Sequence, residues 1–124
     1  MRKTRRKKTP RQTLVKKLDK AFADYVKARD KRTCQWCGNS PQRPQCAHIY
    51  PRRHVRTRWE DYNAITLCAY CHRQWHSDPL AASEWFKLRF PKRWGHVMDE
   101  KGKPSIKMTV ADLEDKLEEY DCES

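Results

Sequence analysis

Two Cys-x-x-Cys pairs, Cys34-Gln-Trp-Cys37 and Cys68-Ala-Tyr-Cys71, constrain this chain more than any other feature. Thirty residues separate them in a chain of 124, of which 37% are hydrophobic and 35% charged. So thin a core, in a length that suits one compact domain, needs a staple. Two residues between cysteines let the backbone turn tightly enough for both thiolates to reach one ion. Two such knuckles fill the tetrahedral shell of a structural Zn2+ and leave no position open for substrate. No apolar stretch is long enough to span a membrane and no signal-peptide core is present, so a cytoplasmic chain is expected. There thiols stay reduced, and paired cysteines point to metal rather than disulfides. Of the other two cysteines, Cys122 is expected to be a free thiol and Cys46 a small buried hydrophobe.

Charge points to the class of partner. The net charge is +12, with nine Lys and Arg and no acid over residues 1–17, and seven acids against Lys116 alone over residues 112–124. The basic excess continues through Arg52, Arg53, Arg56 and Arg58. A polyphosphate gains affinity from each phosphate such groups neutralise, which favours nucleic acid.

Residues 1–9 form a basic arm expected to be disordered. From Pro10 to Arg29, Leu14, Val15, Leu18, Phe22, Tyr25 and Val26 recur at helical spacing. Gln45–Tyr50 and Ala64–Leu67 are expected to be short strands joined by a polar, arginine-rich loop over residues 51–62. A helix is expected from Ala69 to Ser77. Asp78 and Pro79 then supply an N-cap and first position for another, which presents Leu80, Trp85, Leu88 and Phe86 to the core. Residues 92–108, with Gly95, Gly102 and Pro104, read as a loop or poorly ordered hairpin. Thr109 and Asp112 make a capping box for a last amphipathic helix carrying Val110, Leu113, Leu117 and Tyr120. The expected fold is α+β with a very small sheet: a zinc-stapled domain over residues 10–90, then a loop and acidic helix over residues 91–124.

Five histidines are unevenly placed. His48 closes the first strand, Asn63 precedes the second by one residue, and His72 and His76 share one helix face at i and i+4. Two imidazoles so spaced can hold one divalent ion while His48 approaches from the hairpin. His54 and His96 read as surface residues.

The order Cys-x-x-Cys, Ala47-His48-Ile49, then Asn63-Ala-Ile-Thr-Leu-Cys68-x-x-Cys71-His72-x-x-x-His76 resembles the HNH endonuclease motif of the ββα-metal group. The match spans residues 34–76. The loop Pro51–Trp59 and the segment Asp78 to Trp85 also resemble phage-encoded members, including those grouped with recombination-enhancement proteins, which would place the chain in a bacterial host's cytoplasm. The resemblance implies a ββα-metal core with flanking helices and hydrolysis of DNA phosphodiester bonds. It implies His48 as general base and Asn63 as the residue that ties back the loop and keeps the His48 ring oriented. It further implies a catalytic Mg2+, Mn2+, Ni2+ or Zn2+ on His72 and His76 against the scissile phosphate, and Arg52, Arg53, Arg56 and Arg58 as phosphate contacts. Trp59 is expected to pack rather than stack on a base.

One position departs from the family. The residue before the base histidine is commonly a metal-binding acid or histidine, and here it is Ala47. Water completing the metal shell, Cys46 as a soft ligand, and loss of activity are the three alternatives. Two further readings stand beside the nuclease: a non-catalytic zinc-knuckle nucleic-acid-binding protein, and a zinc-stapled adaptor that recruits proteins through its acidic C-terminal helix.

Overall fold

A computed structural model describes residues 9–121. The basic arm, apart from Thr9, lies outside the described residues, as does Cys122.

The chain begins with α1 (Pro10–Arg29), whose start is fixed by a reciprocal capping box. Gln12 N–H donates to Thr9 Oγ1 and Thr9 N–H to Gln12 Oε1, with Pro10 at the first helical position. After Asp30, Lys31 and Arg32 adopt left-handed backbone (φ 55° and 54°) and turn the chain into the first knuckle. A two-stranded antiparallel hairpin follows, β1 (Gln45–His48) and β2 (Ala64–Leu67), in a register that pairs Gln45 with Leu67 and His48 with Ala64. The loop between them, expected to be irregular, holds a single helical turn, α2 (Val55–Arg58), and a 3-10 turn over Asp61–Asn63. Then come α3 (Ala69–Ser77), α4 (Pro79–Arg89), α5 (Pro91–Lys101) and α6 (Val110–Asp121). Helix-dominated α+β with one small sheet is therefore the architecture.

The hairpin is the middle layer of three. Alternate residues point to opposite faces of a strand. Ala64 and Cys46 accordingly join Leu18, Phe22 and Val26 of α1 and Leu113 and Tyr120 of α6. Ala47, Ile65 and Leu67 join Cys34, Cys71, Trp75, Ala82 and Phe86 on the other side. All four residues of β2 are buried, which explains why it is apolar without alternating. Thr66 tolerates burial because its hydroxyl donates to the Val26 carbonyl (3.3 Å) and its N–H to the Asp30 carboxylate (2.9 Å). Arg29 braces the same carboxylate and reaches the Ala64 carbonyl at 2.7 Å. On the outer layer, Tyr120 packs edge-on against Phe22, and its hydroxyl donates to the Trp59 carbonyl. The capping box at Thr109 and Asp112 forms as expected.

Two expectations are corrected. Leu80 and Leu88 are 79% and 83% exposed, whereas Phe86 is buried as expected, joined by Ala82 four residues before it and with Trp85 partly buried beside them. Once Asp78 and Pro79 fix the start of α4, packing against α3 selects the 82–86 stripe and leaves positions 80 and 88 outside it. Residues 92–108 are not all loop, because α5 occupies Pro91–Lys101. Pro91 starts it, and burial of Val97 with partial burial of Trp94 outweighs the penalty of about 1 kcal/mol for a mid-helix glycine. Gly95 has no positive φ, and a methyl group there would meet nothing within 4 Å. Gly95→Ala should therefore stabilise the fold by about 0.4–1 kcal/mol, read as a higher denaturant midpoint at unchanged m-value.

Candidate functional site

The first site is the cysteine cluster. Cys34 to Gly38 forms a tight turn in which Gly38 N–H donates to the Cys34 carbonyl (2.9 Å) and Cys34 N–H to the Asn39 carbonyl (2.7 Å). Gly38 sits at φ 83°, a backbone region that side-chain-bearing residues rarely adopt. The second pair starts α3: Cys68 is its N-cap, and its sulfur accepts the Cys71 N–H at 3.4 Å. The four sulfurs lie within 4.8 Å of one another, with Cys37 and Cys68 at 3.9 Å. A tetrahedral ion with Zn–S bonds near 2.3 Å needs sulfurs about 3.8 Å apart. The group can hold a structural metal such as zinc.

The second site is a cleft of about 590 Å3 between α1, the end of β1, α3 and the start of α4. His48, His72 and His76 all line it, with Asp19, Cys46 and Arg52. His48 is mostly buried, its ring against Phe22 with centroids 5.8 Å apart. Its Nε2 lies 2.9 Å from the Arg58 carbonyl, which can only accept, so Nε2 carries the proton and Nδ1 has the free lone pair. Burial pushes the His48 pKa below the ordinary imidazole value, opposed by the Arg58 carbonyl and the Asp19 carboxylate. The ring is thus neutral near pH 7 and able to take a proton. Burial also drives the Cys46 thiol up to about 12, and this partly buried side chain lines the same cleft.

Asn63 is fully buried, and its side chain holds the loop together. Its Nδ2 donates to the carbonyls of Tyr50 (3.1 Å) and Thr57 (3.0 Å), and its Oδ1 accepts the Tyr50 N–H (2.8 Å). Its own carbonyl accepts the Ile49 N–H at 2.8 Å. The loop bound in this way carries Arg58, whose carbonyl orients His48.

His72 and His76, one helical turn apart, bring their Nε2 atoms to 3.2 Å. Two imidazole nitrogens bound at about 2.1 Å to one ion are separated by about 3–3.4 Å, so the pair fits a shared divalent metal. Burial, then the proximity of His76 and His48, lowers the His72 pKa, which keeps the ring neutral as ligation requires. Among residues lining the cleft the one acid is Asp19, and Ala47 is buried in the core rather than at the cleft surface.

The four arginines divide into two pairs. Arg52 and Arg53 are exposed, and Arg52 lines the cleft. Arg56 is bound to Glu100 (3.2 Å) and the Pro104 carbonyl (3.0 Å). Arg58 grips Asp19 through Nε (3.1 Å) and Nη2 (2.7 Å) and lies over Trp59, so both guanidinium groups already have partners within the protein. Trp59 packs as expected, 3% exposed, with its indole N–H on Asp19 at 2.8 Å. Of the remaining histidines, His54 stacks on Tyr50, and His96, exposed, stacks on Tyr62. Sequence reasoning missed two residues of this site. Asp19 is one polar position on a lysine-rich helix, and only the cross-chain contact with Arg58 and Trp59 reveals its use. Gln45 lies 27 positions before His72, and its side chain meets that ring at 2.6 Å.

No family model, no curated protein and no solved structure matches this chain. No helix among the described residues is long and apolar enough to cross a membrane.

If the cysteine cluster holds the fold together, protein purified without added zinc should carry about one tightly bound zinc per chain. Cys34→Ser or Cys71→Ser should be molten or insoluble, since a structural zinc contributes of order 10 kcal/mol to folding. A well-folded, metal-free chain by elemental analysis and circular dichroism would refute this role.

Proposed function

We propose that this chain is a metal-dependent endonuclease of the HNH type that hydrolyses DNA phosphodiester bonds. The observation that carries the reading is the meeting in one cleft of an oriented, neutral His48 with the His72 and His76 pair, beside a four-cysteine group. The HNH motif over residues 34–76 supplies this same set in this same order.

In this mechanism His48 removes the proton from the attacking water at Nδ1. The Arg58 carbonyl, hydrogen-bonded to Nε2–H, stabilises the imidazolium that forms. Asn63 keeps that carbonyl in place by fixing the loop at Tyr50 and Thr57, and Asp19 does so by gripping the Arg58 side chain. Arg52, at the cleft edge, draws in the phosphate. A divalent ion on His72 and His76 would supply Lewis-acid stabilisation of the phosphate and its leaving oxygen. The non-catalytic nucleic-acid-binding reading draws its support from Ala47, which removes the ligand commonly found before the base.

His48→Ala separates the two leading readings. It should leave metal content, fold and DNA affinity intact and reduce cleavage of supercoiled plasmid by about 10²–10⁴-fold. Equal cleavage by variant and wild type rejects His48 as the base, and no cleavage by wild type with any divalent ion favours the binding module. The neutral ring is the active form, and burial lowers its pKa. The rate should therefore be flat through neutral pH and begin to fall only below the ordinary imidazole value of about 6.5, roughly tenfold per pH unit once below the shifted pKa.

The arginine division predicts a second contrast. Replacing Arg52 and Arg53 together by alanine should reduce the magnitude of the slope of log K against log salt by about two. Arg56→Ala should leave that slope unchanged and lower stability instead, through loss of its bonds to Glu100 and Pro104.

A further inference from the structure

Gln45 opens β1, outside every cysteine and histidine of the motif, and is exposed. Its Oε1 lies 2.6 Å from His72 Nδ1. An amide oxygen only accepts, so Nδ1 of His72 bears the proton and the lone pair of the neutral ring is left on Nε2. That nitrogen accepts from His76 Nε2–H at 3.2 Å, a proton that a bound ion would displace, with the two ring planes inclined by 34°. Without the Gln45 contact the His72 ring is free to carry its proton on Nε2, where it blocks ligation.

The donor set also restricts the ion. His72 and His76 are neutral nitrogen ligands, and Ala47 contributes none. The carboxylate of Asp19 is committed, with Oδ1 accepting from Arg58 Nε and Trp59 Nε1 and Oδ2 from Arg58 Nη2. Mg2+ requires hard oxygen ligands in a near-octahedral shell, whereas imidazoles favour borderline ions such as Ni2+, Co2+ and Zn2+.

The geometry points to Gln45 as a positioning residue that locks His72 in its Nδ1–H tautomer, so that His72 and His76 form a two-imidazole chelate selective for a borderline transition-metal ion over Mg2+. This rests on the reading of the two histidines as metal ligands, and it holds whether or not the bound ion cuts DNA.

The test uses the full chain with 15N-labelled histidine and does not read activity. Long-range 1H–15N spectra before metal addition should give the Nδ1–H tautomer for His72 in the wild type and a mixed or Nε2–H pattern in Gln45→Leu. Calorimetric titration with Ni2+ should detect one ion beyond that held by the cysteines. That ion should be bound about 10–100-fold more weakly in Gln45→Leu and regained in Gln45→Glu, which restores an acceptor. The second ion should be lost in His72→Ala, and Mg2+ should bind at least tenfold more weakly than Ni2+. An Nε2–H tautomer in wild-type protein, or equal Ni2+ affinity in wild type and Gln45→Leu, overturns the positioning role. Mg2+ bound as tightly as Ni2+ overturns the selectivity. Unchanged Ni2+ binding in His72→Ala overturns the ligand assignment and this inference with it. A chain that binds Ni2+ with this Gln45 dependence yet cuts no DNA sinks the nuclease and leaves the inference standing.

Discussion

The four sulfurs gathered from Cys34, Cys37, Cys68 and Cys71 set the positions on which the other features depend. Cys68 directly follows β2 and caps α3, so the cluster pins the junction between strand and helix. The first knuckle is drawn to the same place, and there Gln35 N–H bonds the Thr66 carbonyl (2.9 Å). His72 is covalently next to Cys71, and His76 follows one turn later. A metal held by the four sulfurs would therefore fix the height and rotation of the histidine pair relative to the hairpin that carries His48. In a chain whose core is divided into two small clusters on either side of a two-stranded sheet, neither cluster alone is large enough to set that geometry.

Around the staple, polar side chains do work that apolar packing does elsewhere. The loop between the strands has few hydrophobic residues, and one amide organises it: Asn63 satisfies three backbone groups at Tyr50 and Thr57 from a fully buried position. Its loss would leave those groups unpaired inside the protein, at about 1–3 kcal/mol each. Asp30 plays the corresponding part between α1 and β2, and Asp19 between α1 and the Arg58–Trp59 segment. Such contacts are directional, and direction is what fixes the orientation of a side chain. Hence the carbonyl that sets the His48 tautomer belongs to a residue whose side chain is itself clamped, and the tautomer of His72 is set by an amide from the neighbouring strand.

Much of this was legible in the chain. The CxxC spacing announced a four-sulfur site because thiolate geometry is local, and β2 was legible to the residue because a mainly apolar run of four with β-branched Ile65 and Thr66 has few other uses. The 3.6-residue period gave α1 and α6 for the same reason. The register of α4 was not legible, since Leu80, Leu88 and Phe86 are all apolar and only the docking of the helix chooses which of them it buries. The helix at Pro91–Lys101 was hidden by Gly95, whose local preference tertiary packing overrides.

The sequence by itself determined which chemistries are at hand: four thiols in knuckles, two imidazoles one turn apart, a third imidazole at a strand end, and an excess of cationic charge. These follow from residue type and from spacings within one turn or one strand, where covalent connection fixes distance. The tertiary structure decided which nitrogen of His48 and of His72 is free and which arginines are partnered within the protein. Each of those outcomes depends on a contact across 10 to 48 positions of chain, such as His48 with Arg58, His72 with Gln45, Arg58 with Asp19, or Arg56 with Pro104. Hydrogen bonds of that reach exist only after the layers have docked, because the direction of a donor is set by the elements that carry it and not by its place in the chain.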